Sequence, residues 1–120
     1  MNTNICGTYN LVMYGYQYKN EDTFKPISDW YAGQIQYSEN GSMNVNVRFA
    51  EKPEEFADIV AYSGSYKISG QQIHHDITHS VRPEYVGQTL VRDFRLEGDE
   101  LITEFENTDE FIKFARWKRQ

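Results

Sequence analysis

The sequence predicts an all-β domain of about eight short antiparallel strands with one short helix. The strands either close as an up-and-down barrel or fold as a two-sheet sandwich. Three observations predict it. Apolar and polar residues alternate with a period of two along nearly the whole chain. Asn40-Gly41, Gly70 and Gly98-Asp99 break that alternation with turn chemistry. Nine Tyr, seven Phe and two Trp, with few strong helix formers, suit pleated, half-buried surfaces. A chain of 120 residues makes a single domain, 1–120, able to bury one sizeable core.

The strands fall near 7–14, 33–37, 42–49, 61–68, 72–81, 88–96, 100–105 and 111–118. After the first, residues 15–30 are polar and turn-rich and read as a loop, with some strand at Tyr16–Tyr18. In "GQIQYSENG", Ile35 and Tyr37 share a face and Asn40-Gly41 supplies a tight hairpin. "SMNVNVRF" puts Met43, Val45, Val47 and Phe49 on one side and Ser42, Asn44, Asn46 and Arg48 on the other. "KPEEFADIV" breaks the series: Pro53 and two acids precede Phe56, Ile59 and Val60 at helical spacing, which predicts the one short helix. "AYSGSYKISG" then groups Tyr62, Gly64, Tyr66 and Ile68, and "LVRDFRLEGDEL" groups Leu90, Arg92, Phe94 and Leu96.

All three histidines sit in "IHHDITHSVRP", residues 73–83. Ile73, His75, Ile77, His79 and Val81 share one parity, whereas His74, Asp76, Thr78, Ser80 and Arg82 share the other. The first set is aliphatic apart from two imidazoles, so His75 and His79 are expected inside and His74 outside. Four residues along a strand span roughly 13 Å, whereas zinc–nitrogen bonds are about 2.0–2.1 Å. Two inward histidines on one strand cannot share an ion, and no metal site or other cofactor is expected.

The expected interior therefore combines hydrocarbon with His75, His79, Arg92, Tyr37, Tyr62 and Tyr66, and no clear carboxylate. Each of these has a plain packing explanation, and an inward histidine is often only a satisfied core residue. Arginine is different, because a buried guanidinium without a partner is costly. An apolar chamber with several donors and no anion suits a ligand carrying a carboxylate, phenolate or enol.

Charge and cysteine content narrow the partners. A net charge of −6 and a pI near 5.0 argue against nucleic acid and anionic membranes. No apolar run approaches the about 18 residues of a membrane helix. The opening "MNTNICGTYN" lacks the pattern of a secretory leader, and the single Cys6 excludes an internal disulfide. The expectation is a cytoplasmic protein.

Between residues 61 and 101 the chain is similar to the lipocalin-like domain family, in its type five. The resemblance rests on Ala61-Tyr62-Ser63-Gly64-Ser65-Tyr66, on His75 followed by Ser80 and Pro83, on Val86-Gly87-Gln88, and on Arg92 and Phe94 before Gly98-Asp99. Looser matches extend it from Gly7-Thr8-Tyr9 to Trp117. There are departures: Tyr9 stands where a Trp usually plugs the closed end, Tyr85 replaces a Trp, and His79 occupies a usually aliphatic position. The resemblance implies an antiparallel up-and-down barrel of the calycin type that binds a small, largely apolar molecule. It names no ligand.

Three functions are compatible with these residues. In the first, a barrel encloses a small hydrophobic or amphipathic molecule. Its apolar body lies against Met43, Val45, Val47, Ile77, Phe94 and Leu96, and its polar end meets Arg92 and His75, with Tyr62, Tyr66, Tyr37 and His79 as further ligand-binding candidates. In the second, the same cavity serves an isomerase, cyclase or dehydratase with His75 as acid or base. In the third, the barrel is filled by its own side chains and works through a surface, such as a homodimer contact at Tyr-rich edges. The first is the preferred expectation.

Overall fold

A computed structural model describes residues 4–120, so the first three residues of the 1–120 domain lie outside the described part. It contains β1 (Gly7–Tyr18), β2 (Thr23–Pro26), β3 (Ala32–Tyr37), β4 (Ser42–Arg48), β5 (Ile59–Ser69), β6 (Gln72–Ser80), β7 (Thr89–Glu97), β8 (Glu100–Asn107) and β9 (Phe111–Arg119). β1 pairs antiparallel with β3, and each strand from β3 onward pairs with the next. β9 then returns to β1, from Tyr9↔Arg119 to Tyr18↔Phe111. Eight strands thus close an antiparallel barrel, which removes the exposed edges that an open sheet would carry.

β2 is the extra strand, paired with the far half of β1 from Gly15↔Pro26 to Tyr18↔Thr23. It lies in the stretch expected to be loop. Four residues are too few to show alternation, and aromatic contacts hold the strand instead: Phe24 lies edge-on to Phe114 at 5.8 Å. Lys25 and Pro26 end this free edge, and both residue types discourage pairing with another chain.

The short helix expected at "KPEEFADIV" is present but smaller than its spacing suggests. Only a 3-10 turn forms, at Phe56–Asp58, and Phe56 is 74% exposed. Ile59 and Val60 belong to β5, opposite Arg48 and Val47. Three apolar residues do not repay the cost of nucleating a helix when a neighbouring strand offers its hydrogen bonds. A second 3-10 turn covers Pro83–Tyr85. The Asn40-Gly41 hairpin is also wider than expected. Only Gly41 has positive φ, at 90°, and its N–H donates to the Ser38 carbonyl at 3.2 Å. This is the three-residue loop that closes on a left-handed glycine.

The core fills one end of the barrel with Ile5, Tyr9, Tyr37, Ile73, Leu101 and Trp117, all buried; fully burying each large apolar side chain contributes about 1.5–3 kcal/mol. Tyr9 takes the plug position. Its hydroxyl donates to the Ile5 carbonyl at 2.8 Å and accepts from Arg119 Nη2, and the Arg119 guanidinium lies 5.1 Å from its ring centre.

Three irregularities reverse inside and outside. Between β1 and β9, Leu11 pairs with Trp117 but Met13 with Arg116, which leaves Val12 extra. Between β5 and β6, Ser63 pairs with His79 but Gly64 pairs with Ile77, which leaves Thr78 as an extra residue. Between β8 and β9, Glu104 pairs with Phe114 and Glu106 with Lys113, with Phe105 extra. These bulges decide which side chains reach the interior.

Candidate functional site

A partly open pocket of about 290 Å³ is bordered by the strands of the barrel. All eight ring strands line it: Tyr14 from β1, Ile35 from β3, Val45 and Val47 from β4, Val60 and Tyr62 from β5, His75 from β6, Leu90 and Arg92 from β7, Thr103 and Phe105 from β8, and Lys113 and Trp117 from β9. Tyr85, in the second 3-10 turn, and Glu106 complete the lining.

His75 sits on this wall with 2% of its surface exposed. Neighbouring strands bring it two phenols. Tyr37 Oη lies 2.7 Å from Nε2 and Tyr62 Oη lies 2.8 Å from Nδ1. Burial first, and the nearby Arg92 charge second, push its pKa down to about 3, although Asp76 opposes the shift. The ring is therefore neutral near pH 7. Burial also raises Tyr62 to about 12 and takes Tyr37 well above the usual phenol value, so both hydroxyls keep their protons.

Arg92 also lines the pocket and is half-buried. Its guanidinium lies 4.8 Å from the centre of the Phe105 ring, a cation–π contact. Its Nε is buried and lacks a hydrogen-bond partner, and Nη1 makes only a long 3.4 Å contact to the Val91 carbonyl. Among the described residues it forms no ion pair; those pairs link Arg95 and Arg116 to Glu97, Glu100 and Glu104 on the outer wall. On the pocket wall, Trp117 Nε1 donates to Thr103 Oγ1 at 3.1 Å.

Of the sequence candidates, the barrel brings His75, Arg92 and Tyr62 together at the pocket. Tyr37 lies immediately behind His75. Tyr66 and Phe94 belong to the core but do not line the pocket: the Tyr66 hydroxyl donates to the Ser38 carbonyl at 2.8 Å, and its ring packs edge-on to Tyr37 at 4.9 Å. Met43, Ile77 and Leu96 likewise pack in the core rather than along the pocket, whereas Val45 and Val47 do line it. His79 is a correction. The bulge at Thr78 turns it to the exposed outer face, where Nδ1 meets Thr78 Oγ1 at 3.1 Å.

Sequence reading missed Tyr14, Tyr85, Thr103, Glu106, Lys113 and the pocket role of Trp117. Thr103 shares parity with Leu101 and Phe105 in "LITEF", a signal that was available. Glu106 reaches the mouth only because Phe105 bulges, which alternation cannot show.

Residues 48–120 match the lipocalin-like domain family, a span that includes Tyr62, His75, Arg92, Thr103 and Trp117. No curated protein matches the chain. The family match covers more than half of the sequence and falls on a closed antiparallel barrel: the chain belongs to the lipocalin-like domain family.

Proposed function

We propose that this barrel binds a small, largely apolar molecule through an acidic or enol group, with Arg92 and Tyr62 meeting that group and Val45, Val47 and Leu90 packing on its body. Arg92 carries the proposal: a half-buried guanidinium on an apolar pocket wall, without an ion pair among the described residues, calls for an anion or acceptor. A volume of about 290 Å³ is at the lower end of the roughly 300–1,000 Å³ typical of ligand pockets. It favours a single-ring compound over a long-chain fatty acid.

The enzyme alternative gave acid–base work to His75. Both of its nitrogens are occupied by tyrosines and its pKa lies near 3, so it is not poised for proton transfer near neutrality. The proposed partner is therefore a small hydrophobic or amphipathic molecule. The charge of −6 weighs against nucleic acid and anionic membranes. No helix is long and apolar enough to cross a membrane among the described residues. Cys6 is a free thiol, and cytoplasmic residence is the matching proposal. A homodimer contact would form through the side chains of Tyr16 and Tyr18 on β1 rather than by strand pairing at the β2 edge.

Thermal denaturation with benzoate tests this reading. At one hundred times its dissociation constant a ligand adds about 2.7 kcal/mol of stability. Arg92→Met is expected to weaken benzoate binding roughly tenfold or more, since a charge-assisted hydrogen bond contributes about 1.5–3 kcal/mol. Equal benzoate affinity in the variant contradicts the role given to Arg92.

A further inference from the structure

We propose that Tyr37 is a positioning residue that sets the class of ligand, by fixing the proton on His75 so that the inner pocket presents hydrogen-bond donors in want of an acceptor. The inference rests on the binding reading above and adds which chemistry the pocket accepts.

A neutral imidazole has one nitrogen that donates and one that accepts. Tyr37 is buried and its hydroxyl has a single partner, His75 Nε2. Were Nε2 protonated, Tyr37 would have to accept, and its own O–H would be stranded in the core. Tyr37 therefore donates to Nε2, the imidazole proton resides on Nδ1, and Nδ1–H donates to Tyr62 Oη. Tyr62 makes no other hydrogen bond among the described residues, so its proton is directed into the pocket that it lines.

A second relay has the same polarity. An indole N–H can only donate, so Trp117 makes Thr103 Oγ1 an acceptor and leaves the Thr103 proton free at the pocket. Arg92 can only donate. Tyr62, Thr103 and Arg92 thus all offer protons, whereas Glu106, the carboxylate in the lining, is exposed and stands at the mouth, opposite Lys113 in register but without an ion pair to it among the described residues. Such a pocket takes a compact ring bearing a carboxylate, enolate or carbonyl oxygen. It disfavours a ring of the same size whose polar atom can only donate, because such a ligand could take only the second lone pair of Tyr62 or Thr103 and would leave their protons and Arg92 without an acceptor.

The test pairs spectroscopy with neutral probes that remove the simple effect of charge. Nitrogen-15 spectra of the ligand-free protein, assigned with His74→Gln and His79→Gln variants, are expected to show His75 as the Nδ1–H tautomer, and Tyr37→Phe is expected to shift it toward a mixture. Acetophenone, an acceptor, is expected to bind at least tenfold more tightly than indole, a donor of equal size. That ratio should fall threefold or more in Tyr37→Phe, yet hold in Tyr66→Phe, which removes a neighbouring core hydroxyl. An Nε2–H tautomer in the wild type, indole binding as tightly as acetophenone, or an unchanged ratio in Tyr37→Phe each overturns the inference. If benzoate binds while His75 is Nε2–H, the inference fails and the binding reading survives; if benzoate, acetophenone and indole all fail to bind, both fail.

Discussion

Between pH 7 and pH 5 the protein is expected to lose about 2 kcal/mol of stability through His75 alone. In the unfolded chain this imidazole titrates at the ordinary 6.5; in the barrel its pKa is about 3. Well above pH 6.5 neither state carries the proton, so the group contributes no slope. Below it the unfolded chain takes up a proton that the folded chain refuses, and stability falls toward pH 3 by up to about 1.4 kcal/mol for each pH unit. The structure makes the refusal physical: His75 is enclosed between Tyr37 and Tyr62, Arg92 adds like charge, and only Asp76 opposes. The window from pH 6.5 to 5 lies above the ordinary carboxylate range, so acidic side chains contribute little there. Melting curves are expected to drop on the order of 10 °C across it. His75→Gln can still offer a donor and an acceptor to the two phenols, and it should flatten the slope. Equal slopes in both proteins would refute the account of His75.

Gly64→Ala is expected to destabilise the barrel by about 3 kcal/mol or more, the upper range for overpacking, because the obstruction is backbone rather than a side chain that can swing away. A Cβ built on Gly64 would press into the Asp76 carbonyl oxygen and stand 3.0 Å from the Thr78 amide nitrogen. Both belong to β6 at the place where Thr78 bulges out and Gly64 pairs with Ile77. β6 cannot approach β5 that closely past any side chain. Urea denaturation reads the loss directly; a change below about 1 kcal/mol would show that the bulge tolerates a methyl group and that close approach is not why glycine stands there.

The same bulge shows where sequence reading reached and where it ended. Period-two alternation found the strands of the closed ring and placed His75 and Arg92 inside, because one buried face imposes that pattern on each strand. It also placed His79 inside, since a parity rule continues until a residue is inserted, and nothing in "DITHS" announces the extra Thr78. Phe105 does the same on β8 and delivers Glu106 to the mouth. The hydrogen bonds of His75 were not legible for a different reason. Tyr37, Tyr62 and His75 come from three strands, and their meeting depends on the registers between β3, β4, β5 and β6. The short β2 and the 3-10 turn at Phe56–Asp58 depend on tertiary pairing more than on local pattern.

A structure determined with benzoate bound tests the pocket most directly. The ring is predicted inside the barrel beside Val45 and Leu90, with carboxylate oxygens within hydrogen-bonding distance of the Arg92 guanidinium and Tyr62 Oη. Benzoate seated on the outer wall, or an interior closed by the protein's own side chains with Arg92 turned out to solvent, would contradict it.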